Sequence, residues 1–375
     1  MNLTLSLTHA CNLACTYCYA APHSPRVMTW DVAKRGIDLA FAQRPRKELV
    51  LGFFGGEPLL QWPLLQQATE YACAQAHQAG IAFTPTVTTN GLLLTEDRLQ
   101  WLNTNGFFPA LSLDGNRAMH EAARPTVGGR SSFAASERGV RRALKVFPDL
   151  EVIAVIDPAN VAHLADGVRY LGDELGVLDI SLNPNFSGSW TPETFAIWDE
   201  QYRAIGAYFL ERYRANRPLT INFIDIKIIT HLKRGYDCAD RCSFGEQEFA
   251  VAPSGRLYPC ERVIGDDTDS ALCLGDVFTG IATKKRFGIL AQRGNMDEPC
   301  RTCAIQPRCM NWCGCVNYAT SGAIDRTDGV LCFHERLSVE IADQLAGTLF
   351  AEQNAAFLDR FYQLDLTASA EVDHG

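Results

Sequence analysis

The sequence lacks a long apolar run, a basic N-terminal segment and an excess of positive charge. None of its apolar stretches is long enough to cross a bilayer, and "MNLTLSLTHA" lacks the basic start of a secretion signal. Its 34 Lys and Arg residues are outnumbered by 43 Asp and Glu residues, which gives a net charge of −9. A nucleic-acid backbone requires a basic surface. We therefore expect a cytoplasmic protein that binds neither a membrane nor nucleic acid.

The sequence also has no internal repeat and no low-complexity segment. Apolar residues make up 47% of the 375 positions and charged residues 21%, which is typical of a soluble folded protein. This length predicts two or three domains, or one large α/β unit with an appendage.

Short apolar runs alternate with amphipathic stretches up to about residue 220. The predicted strands are 3–8, 48–54, 83–89, 107–113, 150–156 and 178–183. The predicted helices are 30–44, 62–79, 95–104, 133–147, 160–175 and 191–215, with Thr29 and Thr95 as N-caps. Six strands alternating with six helices predict a parallel sheet with right-handed crossovers. Because eight units would close a full barrel, six predict an open, partial (β/α)6 barrel of the TIM type.

Cysteine is abundant, with 14 residues, of which ten lie between 238 and 332. Since the cytosol keeps thiols reduced, metal or cluster ligation is favoured over a disulfide framework. The region that holds these ten is rich in Gly and Asp and short of helix signals. We therefore divide the chain into a barrel (1–235), an irregular Cys-rich domain (236–335) and a C-terminal helix with a tail (336–375).

The first three cysteines lie in "HACNLACTYCYA", directly after the first predicted strand. Cys11, Cys15 and Cys18 are spaced C-x3-C-x2-C, which suits three irons of a [4Fe–4S] cube and leaves the fourth open to an external ligand. The loop would lie at the carboxyl ends of the strands, where barrels place their chemistry. Tyr17 favours a cofactor site because it can pack on an adenine. The alternative is a structural zinc site that takes a fourth ligand such as His9.

The stretch "CNLACTYCY" resembles the signature of the radical S-adenosylmethionine (radical SAM) superfamily. The resemblance implies that the amino and carboxylate groups of S-adenosylmethionine chelate the open iron. It also implies a reductive cleavage that gives methionine and a 5′-deoxyadenosyl radical, with the protein binding and shielding that radical.

Further motifs in the barrel also resemble this family. "FFGGEP" (53–58) is similar to its Gly-Gly-Glu-Pro motif, which implies that Gly55, Gly56 and Glu57 meet the methionine amino group. The other predicted cosubstrate contacts are Asn90, Ser112, Asp114, Arg124 and Phe186. Each of these polar residues, taken alone, could equally be a residue that caps a turn. Phe186 could equally be an aromatic residue of an ordinary loop.

The later cysteines resemble the SPASM domain, with spacings C-x12-G-x4-C, then C-x2-C-x5-C-x3-C, then a last cysteine. The resemblance implies two auxiliary [4Fe–4S] clusters, hence three clusters in all. Matching the cysteines to the positions of the SPASM motif implies that auxiliary cluster I is held by Cys238, Cys242, Cys260 and Cys313. Auxiliary cluster II takes Cys300, Cys303, Cys309 and Cys332. Chain order alone would group Cys313 with Cys300, Cys303 and Cys309, and zinc in that set is the alternative. We expect Cys73 and Cys315 to be packing residues and leave Cys273 unassigned.

The resemblance to the SPASM domain implies an enzyme that modifies a peptide or protein. Two reactions are possible: the enzyme crosslinks or otherwise oxidises a ribosomally made peptide, or it converts a Cys or Ser of a sulfatase to formylglycine. In sulfatase maturases an Asp base follows the G-x4-C cysteine, whereas Glu261 stands here, which favours the peptide maturase. Glu261 is the candidate catalytic base, unless it pairs with Arg262. A non-catalytic electron carrier is the alternative from another class, but it would not need the open-iron triplet.

Two partners besides the peptide follow from the resemblance. An external electron donor such as flavodoxin or ferredoxin is implied. Since the first predicted strand begins at residue 3, we expect no leader-binding domain ahead of it. A leader peptide would then be held by a separate protein or by the rim of the barrel.

Overall fold

One eleven-stranded sheet organises the protein in this computed structural model, which describes residues 1–20, 23–45, 47–268, 270–293 and 295–362. The strands are β1 (Asn2–Ser6), β2 (Glu48–Phe54), β3 (Ala82–Thr89), β4 (Phe108–Ser112), β5 (Glu151–Ile156), β6 (Asp179–Pro184), β7 (Thr220–Ile221), β8 (Glu248–Val251), β9 (Arg256–Tyr258), β10 (Gly275–Asp276) and β11 (Gly280–Ile281). The α-helices are α1 (Trp30–Ala42), α2 (Trp62–Ala79), α3 (Glu96–Thr104), α4 (Arg117–Glu121), α5 (Phe133–Ala143), α6 (Leu164–Arg169), α7 (Pro192–Arg214), α8 (Asn222–Leu232), α9 (Thr283–Arg293), α10 (Glu298–Arg301), α11 (Gly314–Ser321), α12 (Gly329–Ala351) and α13 (Ala355–Tyr362).

Strands β1 to β7 lie across the sheet in chain order, and each pairs in parallel with the next. The six predicted strands and the six helical stretches between them are confirmed. Thr29 and Thr95 are confirmed as N-caps, because their hydroxyls accept from the amides of Val32 and Arg98. Within the described residues the sheet ends at β7 on one side and β11 on the other, so the barrel is open, as predicted.

The hydrophobic core lies between the sheet and its helices. On β2, Leu49, Leu51 and Phe53 are buried, while the residues between them are partly exposed, which is the alternation expected of a strand. Strand β7 and helix α8 add a seventh unit that the sequence analysis missed, because a two-residue strand has no readable alternation.

The Cys-rich region is more regular than predicted, because part of it continues the barrel sheet. Strand β8 pairs in parallel with β1, with Asn2 opposite Glu248 and Leu5 opposite Val251. Strands β9, β10 and β11 then extend the sheet in antiparallel fashion. The predicted division at residue 236 therefore separates two regions that share one sheet.

The predicted C-terminal helix is in fact two helices, α12 and α13. Gln353 has a φ of 50°, which ends the helical path, and the Asn354 side chain accepts from the amide of Phe357 to start α13. The predicted tail at 363–375 lies outside the described residues. Among the helices of the described residues, none is long and apolar enough to span a bilayer.

A buried ion pair joins α8 to α12. Lys227 and Glu335 are each 1% exposed, and the Lys227 ammonium lies 2.7 Å from the Glu335 carboxylate. Lys227 also donates to the carbonyl of Arg308, and Glu335 accepts from the amide of Met310. The pair therefore anchors the segment 308–310, which contains Cys309, between the two helices.

Lys227→Met is expected to lower the free energy of unfolding by about 3–5 kcal/mol, because it leaves the Glu335 carboxylate buried without its cation. The measurement is anaerobic denaturant unfolding followed by circular dichroism. Lys34→Met is the matched control, because Lys34 and Asp38 form an exposed i,i+4 pair, and exposed pairs contribute little to stability. Equal unfolding midpoints for the two variants would contradict the assigned role of the pair.

Candidate functional site

The loop that carries the cysteine triplet is held by very close backbone contacts with the Gly-Gly turn after β2. The amide of Gly56 donates to the carbonyl of Thr8 at 2.7 Å, and the amide of Glu57 donates to that of Ala10 at 2.9 Å. A Cβ on Gly55 would lie 2.4 Å from the Thr8 carbonyl oxygen, and one on Gly56 would lie 2.2 Å from that of Ala10. Only glycine at these two positions allows the backbone of the triplet loop to come this close to the turn after β2.

Glu57 is buried, and both of its carboxylate oxygens accept hydrogen bonds from the protein. They accept from the amides of Leu59 (3.0 Å) and Asn90 (2.9 Å) and from the hydroxyl of Thr89 (2.7 Å). Burial raises the pKa of this carboxyl, although these hydrogen bonds oppose the shift. Glu57 thus ties the Gly-Gly turn to the end of β3, and its predicted contact with an ammonium group stays a prediction.

Asn90, at the end of β3, contacts the triplet loop directly. Its amide nitrogen donates to the Asn12 side chain at 2.7 Å, and its carbonyl oxygen accepts from the amide of Leu92. Asn12 follows Cys11, so Asn90 helps to set the path of the loop between its first two cysteines. This is a positioning role, and the predicted cosubstrate contact stays a prediction.

Three of the predicted cosubstrate residues form one network beside Cys15. Arg124 donates to the Tyr17 hydroxyl at 2.8 Å, and that hydroxyl donates to the Asp114 carboxylate. Asp114 also accepts from the amide of Val155 at 3.1 Å. Asp114 and Arg124 are buried, and Arg124 is close enough to Cys15 to lower its pKa against the larger, opposing effect of burial. The sequence prediction that these side chains share a site is consistent with this geometry.

Arg124 retains one unused donor. Its Nε is buried and has no hydrogen-bond partner among the described residues. A buried guanidinium N–H without a partner is costly, so a ligand oxygen at this position would satisfy it. The donor set therefore fits a carboxylate- or hydroxyl-bearing cosubstrate beside the triplet.

The last two predicted cosubstrate residues, Ser112 and Phe186, are not part of this network. Ser112 is the final residue of β4, half-buried, with its Cα opposite Ile153 of β5. Phe186 is buried in the hydrophobic core, with its ring edge-on to His334 of α12 at 5.7 Å between centroids. This packing agrees with the alternative that Phe186 is an ordinary loop aromatic, and its adenine contact stays a prediction.

A cavity of about 200 Å³ brings together the four cysteines predicted for auxiliary cluster II. Residues of α10, the loop after it and the start of α12 line this cavity, and Glu335 forms part of its wall. We call it site II, and its cysteines are Cys300, Cys303, Cys309 and Cys332. Four converging thiols are the donor set that a [4Fe–4S] cluster requires.

A second group of thiols, which we call site I, consists of Cys242, Cys260, Cys313 and Cys315. The sulfurs of Cys313 and Cys315 are 3.5 Å apart, and Cys315 also contacts Cys260. Cys242 donates to the Glu248 carboxylate at 3.1 Å, and that carboxylate lies within 4.8 Å of the Cys260 sulfur. Cys313 therefore lies with the cysteines predicted for auxiliary cluster I.

Glu261 lies beside site I, within hydrogen-bond reach of the Cys260 sulfur at 3.5 Å. Arg262 does not turn toward it; its guanidinium lies over the ring of Tyr19, 5.0 Å from the centroid. Tyr19 follows Cys18 and stacks on Phe54 at the end of β2. The stack of Phe54, Tyr19 and Arg262 thus connects the triplet loop to site I.

Comparison with known proteins agrees with this geometry. Residues 5–169 match the model of the radical SAM superfamily. The chain carries a radical SAM domain. It is 26% identical over 320 residues to a serine-type anaerobic sulfatase-maturating enzyme of Klebsiella aerogenes, covering 81% of this chain and 77% of the relative. It is 24% identical over 343 residues to the mycofactocin maturase MftC of Mycolicibacterium smegmatis, covering 87% and 81%.

The fold is also shared with a solved structure, that of anSMEcpe with bound AdoMet and Cp18Cys peptide. The TM-score is 0.77, with 93% of this chain and 99% of that chain covered, at 18% sequence identity. The open barrel of the radical SAM domain and the Cys-rich continuation of its sheet are therefore both parts of a known architecture.

Burial opposes the ionisation of several thiols in the radical SAM domain and in the two auxiliary sites when no metal is bound. It raises the pKa of Cys11 to about 12, and it raises the pKa of Cys242 and of Cys309 above that of a free thiol. Nearby carboxylates, Glu248 for Cys242 and Glu335 for Cys309, act in the same direction. Cluster assembly must therefore release protons from these sites.

Several residues differ from expectation or were missed. Cys73 is exposed, contrary to the packing prediction, because α2 buries the face that contains Leu65, Ala68 and Ala72 instead. Cys315 was expected to pack, but it contacts two other thiols. Tyr19 and Glu248 were missed; the position of Tyr19, directly after Cys18, was the available signal, whereas Glu248 had none.

Gly56→Ala is expected to remove the cluster of the radical SAM domain and lower the iron content from about twelve to about eight per chain. The new Cβ would collide with the Ala10 carbonyl and displace the triplet loop. Gly347→Ala is the control, because a Cβ there, on α12, meets nothing within 4 Å. Iron and sulfide analysis after anaerobic reconstitution gives the result. Full iron content in Gly56→Ala would contradict the role given to this contact.

Proposed function

We propose that this protein is a radical SAM oxidoreductase that modifies, most simply by crosslinking, a ribosomally made peptide. The observation that carries the proposal is the arrangement of one cysteine triplet beside the Tyr17–Asp114–Arg124 network, with two further thiol sites in the same chain. A peptide substrate accords with the names of the relatives, one a sulfatase-maturating enzyme and the other a mycofactocin maturase.

The residues present fit three [4Fe–4S] clusters and S-adenosylmethionine. Cys11, Cys15 and Cys18 would hold the first cluster, and site II would hold another through its four cysteines. Cys242, Cys260 and Cys313 would provide three ligands of the remaining cluster at site I. When bound, these groups supply a 5′-deoxyadenosyl radical for hydrogen abstraction and a route for electrons.

The protein's own contribution is to bind, orient and shield. Arg124 would place its unused Nε donor against the cosubstrate, while Tyr17 and Asp114 keep its guanidinium fixed. Asn90 and the Gly-Gly turn hold the triplet loop in place. The reductant would be an external flavodoxin or ferredoxin. The leader of the peptide would bind either a separate protein or the rim of the barrel.

Formylglycine formation in a sulfatase is the second candidate. The relationship to a sulfatase-maturating enzyme over 81% of the chain favours it. Glu261 in place of the Asp of sulfatase maturases favours the peptide maturase. Incubation of the reconstituted enzyme with a sulfatase peptide, followed by mass spectrometry, separates the two, because formylglycine changes the mass of a single Cys or Ser.

Replacing Cys11, Cys15 and Cys18 together with Ala is expected to abolish cleavage of S-adenosylmethionine and leave about eight irons per chain. The reason is that these thiolates would serve a cluster separate from sites I and II. Production of 5′-deoxyadenosine, measured by liquid chromatography, gives the activity. Cys73→Ala is the control, since this exposed thiol belongs to none of the three groups. Continued 5′-deoxyadenosine production by the triple variant would refute the proposal.

Glu261→Gln is expected to leave cosubstrate cleavage intact and to lower peptide product by about 10²-fold or more. After hydrogen abstraction, a two-electron oxidation must also lose a proton, and the Glu261 carboxylate beside site I would accept it. Glu246→Gln is the control, because Glu246 is an exposed carboxylate that pairs with Arg293. The ratio of product to 5′-deoxyadenosine is the measurement. An unchanged ratio would remove Glu261 from the reaction.

A further inference from the structure

Site I contains a thiol that cysteine spacing did not assign to a cluster. Cys315 is 6% exposed, and its sulfur lies 3.5 Å from that of Cys313. Its thiol also lies beside that of Cys260. Cys315 is part of the hydrophobic core, and it also lies between two of the cysteines predicted to hold auxiliary cluster I.

The cysteine that spacing did assign, Cys238, lies in a different environment. It is exposed, in a turn where Asp237 accepts from two backbone amides and Asp240 pairs with Lys233 at the end of α8. No hydrogen bond joins its sulfur to another thiol among the residues that the structure describes. The other predicted cluster cysteines are buried or half-buried.

The charges around site I also point to Cys315. The Arg262 guanidinium lies near the sulfurs of Cys260, Cys313 and Cys315, as well as over the ring of Tyr19. It has no carboxylate within ion-pair distance among the described side chains, so the thiolates of a bound cluster would be its available counter-charge. In addition, Cys313 is the N-cap of α11 and Cys315 lies in its first turn, where the helix dipole favours negative charge.

We propose that Cys315 is the fourth ligand of auxiliary cluster I, together with Cys242, Cys260 and Cys313, and that Cys238 is not needed. The proposal rests on the two auxiliary clusters of the proposed function. One thiolate per iron is required, so the sulfurs of Cys313 and Cys315 must separate when the cluster binds. Gly314 lies between them, and side-chain rotation about χ1 supplies the movement.

This ligand set has a consequence for the substrate. Four thiolates from the interior of the protein leave no iron of cluster I open to an external group. A peptide would then meet site I through its carboxylates, Glu248 and Glu261, and not through a bond to iron. Cluster I would serve to move electrons, as a fully ligated cluster does.

The test uses the Cys11, Cys15, Cys18→Ala protein, in which about eight irons remain on sites I and II. Adding Cys315→Ala is expected to lower the iron content to about four, as adding Cys313→Ala should, while adding Cys238→Ala should leave about eight. Cys273→Ala is the matched control, because Cys273 is buried but its sulfur donates to the Gly275 carbonyl. Mössbauer spectra identify the remaining iron as [4Fe–4S].

Loss of four irons on adding Cys238→Ala would overturn the proposal, and so would full iron content on adding Cys315→Ala. Absence of iron from the parent protein would instead contradict the proposed function. A second measurement needs no substitution. In anaerobic holoprotein, iodoacetamide should alkylate Cys238 about as fast as exposed Cys73, and removal of iron by a chelator should not change this. Protection of Cys238 until the iron is removed would show that it is a ligand.

Discussion

The contact between Gly55–Gly56 and the backbone of Thr8 and Ala10 is the constraint on which the site depends. Two backbone segments approach so closely that neither position tolerates a side chain. The parallel pairing of β1 with β2 brings the segments together, and their amide–carbonyl hydrogen bonds hold them in register. The cysteine triplet follows directly, so its location is set by the sheet and does not depend on a cluster being bound.

The Cys-rich region is held to the barrel by contacts of three kinds. Backbone pairing of β8 with β1 makes it part of the same sheet. The buried Asp267 carboxylate accepts from Arg26 of the triplet loop at 3.0 Å and from the Ser254 amide at 3.0 Å. The third contact is the packing of Arg262 over Tyr19. Because these contacts all involve the triplet loop or its strand, a shift of that loop would also disturb site I.

The sequence predicted the barrel well because its strands and helices are long enough to show a period, and Thr29 and Thr95 carry recognisable cap chemistry. It did not predict β7 to β11, which have two to four residues each and take their structure from neighbours in the sheet. Spacing identified the triplet, whereas the grouping of the site II cysteines came from the resemblance to the SPASM domain. Spacing could not separate Cys238 from Cys315, because exposure and contact with other thiols depend on the tertiary fold.

The two auxiliary sites differ in how their carboxylates are balanced. At site II, Glu335 is paired with Lys227, so the wall of the cavity carries no net charge from this pair. At site I, Glu248 and Glu261 lie within 4.8 Å of the Cys260 sulfur, and Arg262 is directed to the thiols and to Tyr19. Ligation of Cys242 to iron would remove the donor that Glu248 now has, leaving a half-buried carboxylate that favours taking up a proton. In the proposed function, site I would therefore couple the gain of an electron by its cluster to the uptake of a proton by a nearby carboxylate.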